Sequence, residues 1–144
     1  MKKLGLLALL VVFFTACTKE YITEENVNVY SYSRYFQVTR NQWKKATDQN
    51  NYFLYYYCTF SEPRLTNEIL DNGSMNAYLY YKIDGLDTFS PLPYSDFIVD
   101  ADYKWEEQLT VEFQPGYITF ILKIDDFYAV SPLEYYNFVV RFLW

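Results

Sequence analysis

Few side chains in this sequence can do covalent or acid–base chemistry. Its 144 residues include no histidine, which removes the commonest general base, the commonest metal ligand and the usual pH switch. Ser-His-Asp and Cys-His catalysis are thereby excluded, and so are ordinary zinc sites. Two cysteines remain, Cys17 and Cys58, with 18 acidic residues. Cys58 lies in Tyr55-Tyr56-Tyr57-Cys58-Thr59-Phe60 with no cation close by in sequence, so it reads as a small buried hydrophobe. Carboxylates gather at Asp84 and Asp87 beside a turn, at Asp96, Asp100 and Asp102 in one expected loop, and at Asp125-Asp126. Calcium needs about six to eight converging oxygens. No twelve-residue calcium loop is present and Asp is itself a turn former, so neither a metal nor a cofactor is expected. A carboxylate pair of the glycosidase kind is the only catalytic option left, and no cleft signal or further polar cluster accompanies it.

The other chemistry on offer is contact. Seventeen tyrosines, some on consecutive positions, are unusual for one small chain. Neighbours in a strand point to opposite faces, so Tyr55-Tyr56-Tyr57 and Tyr80-Tyr81 cannot all lie in one core. If Leu54, Tyr56, Cys58 and Phe60 face inward, Tyr55 and Tyr57 face out. If Met75, Ala77, Leu79, Tyr81 and Ile83 face inward, Tyr78 and Tyr80 face out beside Asn76 and Lys82. Such rings can stack on sugars or dock a partner protein; they can also simply pair across strands and cover the sheet. Trp43-Lys44-Lys45 offers a second contact, either near a membrane or with a partner. Its alternative, a buried anchor ahead of the Asn-rich loop Asp48 to Asn51, is the expected one.

Cys17 has a different reading. Met1-Lys2-Lys3 is a basic start, Leu4 to Phe14 is an unbroken apolar run, and Thr15-Ala16-Cys17 follows. That is a secretory signal by layout, and the cut before a cysteine resembles a bacterial lipoprotein signal, in which the thiol is acylated and the cysteine becomes the new N-terminus. The apolar run is well short of the ~20 residues that span a bilayer. Residues 1–16 are therefore read as signal peptide, 17–26 as lipidated cysteine and polar tether, and 27–144 as one domain. With Cys17 lipidated, Cys58 has no intrachain partner. The formal net charge is −6 and becomes more negative once Lys2 and Lys3 leave. Nucleic-acid binding is disfavoured because no basic stripe is present.

The elements that must position these groups read as strands. Tyr103 to Phe113 alternates almost perfectly, with Tyr103, Trp105, Leu109, Val111 and Phe113 on one face and Glu107 the sole charge among them. Pro115-Gly116 turns the chain into a run with Ile118, Phe120, Leu122 and Ile124 inward. A last strand, about 135–143, buries Tyr136, Phe138, Val140 and Phe142 and exposes Asn137 and Arg141. Further strands are expected at 27–39, 52–60, 75–83, 86–90 and 94–99. Asp84-Gly85 is a hairpin signal, and Thr66 to Leu70 suits one helical turn with Thr66 as N-cap and Gly73 just past the end. About seven or eight short strands predict an all-β antiparallel sandwich, with a small barrel as the alternative.

Trp43 ahead of a Tyr-rich strand, Pro63-Arg64-Leu65-Thr66, Ile69, Asn72-Gly73, Tyr78 and Leu92-Pro93-Tyr94 together resemble a set of small Bacteroidetes envelope lipoproteins. The resemblance covers the signal and roughly residues 40–95. It implies a β-rich lipidated domain in the bacterial cell envelope, on the outer membrane, and transfers no catalytic residues. The expected function is a non-enzymatic binding or structural module, held to the membrane by its lipid and meeting a glycan or an envelope protein. Carbohydrate recognition by Tyr55, Tyr57, Tyr78 and Tyr80 is the alternative, and a carboxylate-only glycosidase ranks third.

Overall fold

The computed structural model describes residues 30–50, 52–100, 103–125, 132 and 134–144. The signal peptide, Cys17, the tether and positions 27–29 of the expected domain lie outside these residues.

Among the described residues the chain forms nine strands: β1 (Ser31–Thr39), β2 (Lys44–Thr47), β3 (Phe53–Ser61), β4 (Ser74–Ile83), β5 (Leu86–Pro91), β6 (Tyr94–Asp100), β7 (Tyr103–Gln114), β8 (Tyr117–Asp125) and β9 (Tyr135–Leu143). A short α-helix, α1 (Asn67–Asn72), precedes β4. Two antiparallel sheets result, ordered β1-β9-β4-β5 and β2-β3-β8-β7-β6. They face each other as a sandwich and do not close into the barrel that stood as the alternative. The strand count exceeds the expected seven or eight because Lys44–Thr47 forms an edge strand on β3. That segment carries no apolar alternation, and its register slips between Ala46 and Thr47.

The turns follow from their residues. Asp84 (φ 51°) and Gly85 (φ 81°) join β4 to β5, with Ile83 opposite Leu86. Both central residues are left-handed, the geometry of a type I′ hairpin. Gly116 (φ 80°) after Pro115 joins β7 to β8. Thr66 caps α1 by accepting a hydrogen bond from the Ile69 backbone N–H. Gly73 ends the helix without entering the left-handed region (φ −94°). Its requirement is space: a Cβ there would stand 2.6 Å from the Ile69 carbonyl oxygen and 2.8 Å from that of Leu143.

The core lies between the sheets. Phe36 and Val38 of β1, Tyr56 and Cys58 of β3, Ile118, Phe120 and Leu122 of β8, and the even positions 136–142 of β9 pack together. Phe120 and Phe138, from opposite sheets, stack at 4.1 Å and 11°. Trp43 is buried against Tyr136, edge to face, as its anchor reading required. Cys58 is buried as expected. Two positions of the expected inward sets are not inside. Leu54 and Ile83 are about half exposed, and each lies at or next to a strand end. One end of the sandwich is closed by an ion pair. Glu62, buried to 2 %, meets the Arg34 guanidinium at 2.5 Å, and the Gly116 amide and carbonyl hold the chain at Leu65 and Glu62. Among the described residues no helix is long and apolar enough to cross a membrane.

Candidate functional site

Tyr55, Tyr57, Tyr78 and Tyr80 do not form one platform. Tyr55 and Tyr57 lie on β3, in the five-stranded sheet, whereas Tyr78 and Tyr80 lie on β4, in the four-stranded one. All four alternate with inward residues, so the two pairs look away from each other across the whole sandwich. Tyr55 and Tyr57 meet edge to face at 6.4 Å. Tyr57 is the direct cross-strand partner of Ile121, which is buried although it points outward. This pair covers its own sheet.

The four-stranded sheet gathers far more. Its antiparallel register places Tyr35, Val139, Tyr78 and Pro91 in one row across β1, β9, β4 and β5. Gln37, Asn137, Tyr80 and Phe89 form the next. Val139 is fully buried on this outer face between Tyr35 and Tyr78. Tyr80 and Phe89 lie 5.2 Å apart and 30° from parallel, and Tyr35 stands nearly perpendicular to Tyr80 at 6.3 Å. The Arg141 guanidinium sits over the Tyr78 and Phe89 rings at 5.2 and 5.4 Å. Gln37 donates through Nε2 to Asn137 Oδ1 at 3.0 Å, which sets two amides beside the rings with hydrogen-bonding capacity to spare. Tyr35 keeps 66 % of its surface in solvent.

A polar group closes the β5 side. Tyr80 donates its hydroxyl hydrogen to Asp87 Oδ1 at 2.9 Å, and Lys82 Nζ donates to the same oxygen at 2.6 Å. The Lys82 hydrogen bond, then that of Tyr80, holds the Asp87 carboxyl below its ordinary value. Asp87 in turn raises the Tyr80 phenol and the Lys82 ammonium above theirs. Tyr80 therefore stays a neutral donor beside a charged carboxylate.

Sequence reading placed Tyr78, Tyr80, Asn137 and Arg141 outward but offered only Tyr78 and Tyr80 as site residues, and it passed over Tyr35, Phe89 and Gln37. Each of these is predictable as outward from its own strand's alternation. What the pattern lacks is which strands adjoin β4, and β1 reaches it only through β9. Asp96 and Asp100 lie within β6, which fits the strand expected over 94–99 and not the loop reading of that cluster, while Asp102 and Asp126 lie outside the described residues. Among the described residues no three acidic or cysteine side chains form a group able to hold a metal ion. Comparisons with protein families, with curated proteins and with solved structures give no match.

Proposed function

We propose that the protein is a lipid-anchored, non-enzymatic binding module of the bacterial envelope, and that the outer face of β1-β9-β4-β5 takes a glycan. The observation that carries this reading is the set of rings on that face: Tyr80 and Phe89 packed 5.2 Å apart with a 30° tilt, Tyr35 upright beside them, and amides and charges at their margin. Aromatic faces suit the C–H surfaces of a sugar ring, while Gln37, Asn137, Asp87 and Arg141 can address its hydroxyls. A glycan also suits the polarity of the patch better than a protein partner, whose contact centre is usually depleted of charge.

Tyr35 and Tyr80 are the residues to remove, since Tyr78 also shields Val139. On a glycan array, the Tyr35→Ala/Tyr80→Ala protein should lose at least about tenfold in affinity, on the order of 1.4 kcal/mol. Tyr55→Ala/Tyr57→Ala, on the opposite sheet, should bind like wild type. Equal loss in both variants, or no glycan bound by the wild type, would overturn the reading. Anchoring is tested separately by metabolic labelling with a fatty acid. Label should enter the wild type and be absent from Cys17→Ser; label in both, or in neither, would defeat it.

A further inference from the structure

A second site lies between the sheets. β4 runs past the start of β9, since its last pair with that strand is Tyr80–Asn137 while it continues to Ile83. The overhang leaves a cleft of about 270 Å³ facing β6 and β7, just below the ~300–1,000 Å³ common for small-molecule sites. Leu79, Ile98 and Leu109 supply apolar wall. Within it lie two carboxylates, Asp96 and Glu107, which are direct cross-strand partners in the β6–β7 register.

Their environment is electrostatically incomplete. Glu107 is 5 % exposed. Its Oε1 accepts from the Trp105 indole N–H at 3.1 Å and its Oε2 from the Tyr136 hydroxyl at 2.8 Å. Asp96 Oδ1 accepts from the Phe97 backbone N–H at 2.8 Å and its Oδ2 from the Tyr94 hydroxyl at 3.1 Å. All three side-chain donors are neutral, and among the described residues lining the cleft there is no Lys or Arg. Like charges directly opposite on neighbouring strands repel, and a buried carboxylate without a cation is costly. Each carboxylate oxygen retains a free lone pair after these bonds.

We propose that this cleft binds a small primary amine carried on an apolar body, its ammonium seated between Asp96 and Glu107 and its stem against Leu79, Ile98 and Leu109. An ammonium has three donors and no acceptor, which matches two carboxylates that can only accept. A monoamine suits the volume. The inference stands apart from the glycan reading in its ligand contacts, Asp96, Glu107, Leu79, Ile98 and Leu109, although Tyr80 and Asn137 of the outer face also reach the rim of the cleft.

Phenethylamine, 2-phenylethanol and phenylacetate share a ring and differ in charge, so they make the test set, read by calorimetry and by tryptophan fluorescence near Glu107. Phenethylamine should saturate one site, with the neutral and anionic analogues at least tenfold weaker. Asp96→Asn, at the solvent-facing rim, should weaken phenethylamine at least tenfold and leave 2-phenylethanol unchanged. Glu107→Gln should do the same if it folds; Asp96→Asn decides the matter if it does not. Tyr35→Ala should leave amine binding intact whatever it does to glycan binding. Absence of saturable amine binding, equal binding of the alcohol, or calcium saturating the site in place of the amine would each overturn the proposal.

Discussion

Tyr94 shows how burial and a neighbour act on a single side chain. Its phenol is pushed up to about 12, first by burial and then by the hydrogen bond it donates to Asp96. In the unfolded chain the same group ionises near its ordinary 10.0. A raised folded value means that the stabilisation is fully present below pH 10 and is lost as pH rises through 12. Urea denaturation from about pH 9 to about pH 12 should therefore show a fall in stability that is shallower in Tyr94→Phe; identical slopes would refute the assignment. Cys58 follows the same logic, its thiol raised by burial against a weaker opposing pull from Lys44. Its burial was readable from alternation with Tyr56. The Tyr94–Asp96 bond was not, because it depends on rotamers that no sequence pattern encodes.

Elements depend on backbone clearance as much as on propensity. Gly85 and Gly116 adopt positive φ, and a Cβ added at either would meet nothing within 4 Å, whereas Gly73 has ordinary φ and no room. The two kinds of glycine fail differently. Gly73→Ala must displace the carbonyls of Ile69 and Leu143, an overpacking cost of about 1–3 kcal/mol, and should loosen α1 from the end of β9. Gly116→Ala meets only the intrinsic left-handed penalty of about 1–2 kcal/mol. Equilibrium urea unfolding measures both, and amide exchange at Ile69 and Leu70 should quicken in the first variant alone. The long or alternating strands and the helix were legible in the sequence because β-branched and aromatic runs alternate between clear turn pairs. β2 was not: Lys44-Lys45-Ala46-Thr47 is held by its pairing with β3, a tertiary cause that local pattern does not carry.

Across the whole molecule the sheets are joined through their side chains, and Phe120 on Phe138 is the central contact. Phe138→Ala should cost about 3–5 kcal/mol, a large part of a domain stability of about 5–15 kcal/mol. Combining it with Phe120→Ala should cost less than the sum, since each truncation already removes the shared stack. Strict additivity in thermal or urea unfolding would place the two rings in separate clusters. The candidate sites belong to this scale, which is why they were the least legible. Tyr35 meets Tyr80 only because β9, which follows β1 by most of the chain, inserts between β1 and β4. The alternation that placed Tyr55, Tyr57, Tyr78 and Tyr80 outward was sound; it carried no information on which side of the sandwich each pair would face.

Tyr30 and Trp144 exchange two backbone hydrogen bonds, at 2.8 and 3.1 Å, and their rings stack at 6.3 Å. This corner is where the chain from the proposed anchor enters the domain. Twelve residues separate Cys17 from Tyr30, a mooring line of at most ~47 Å. The Tyr30–Trp144 corner is then the keel, and the Asp84-Gly85 hairpin and the cleft of Asp96 and Glu107 form the masthead, one strand length or ~30 Å further along. With an anchor at Cys17, as proposed, a fusion appended at Trp144 would start from the tethered end of the domain, whereas one inserted at Gly85 would start from the opposite end.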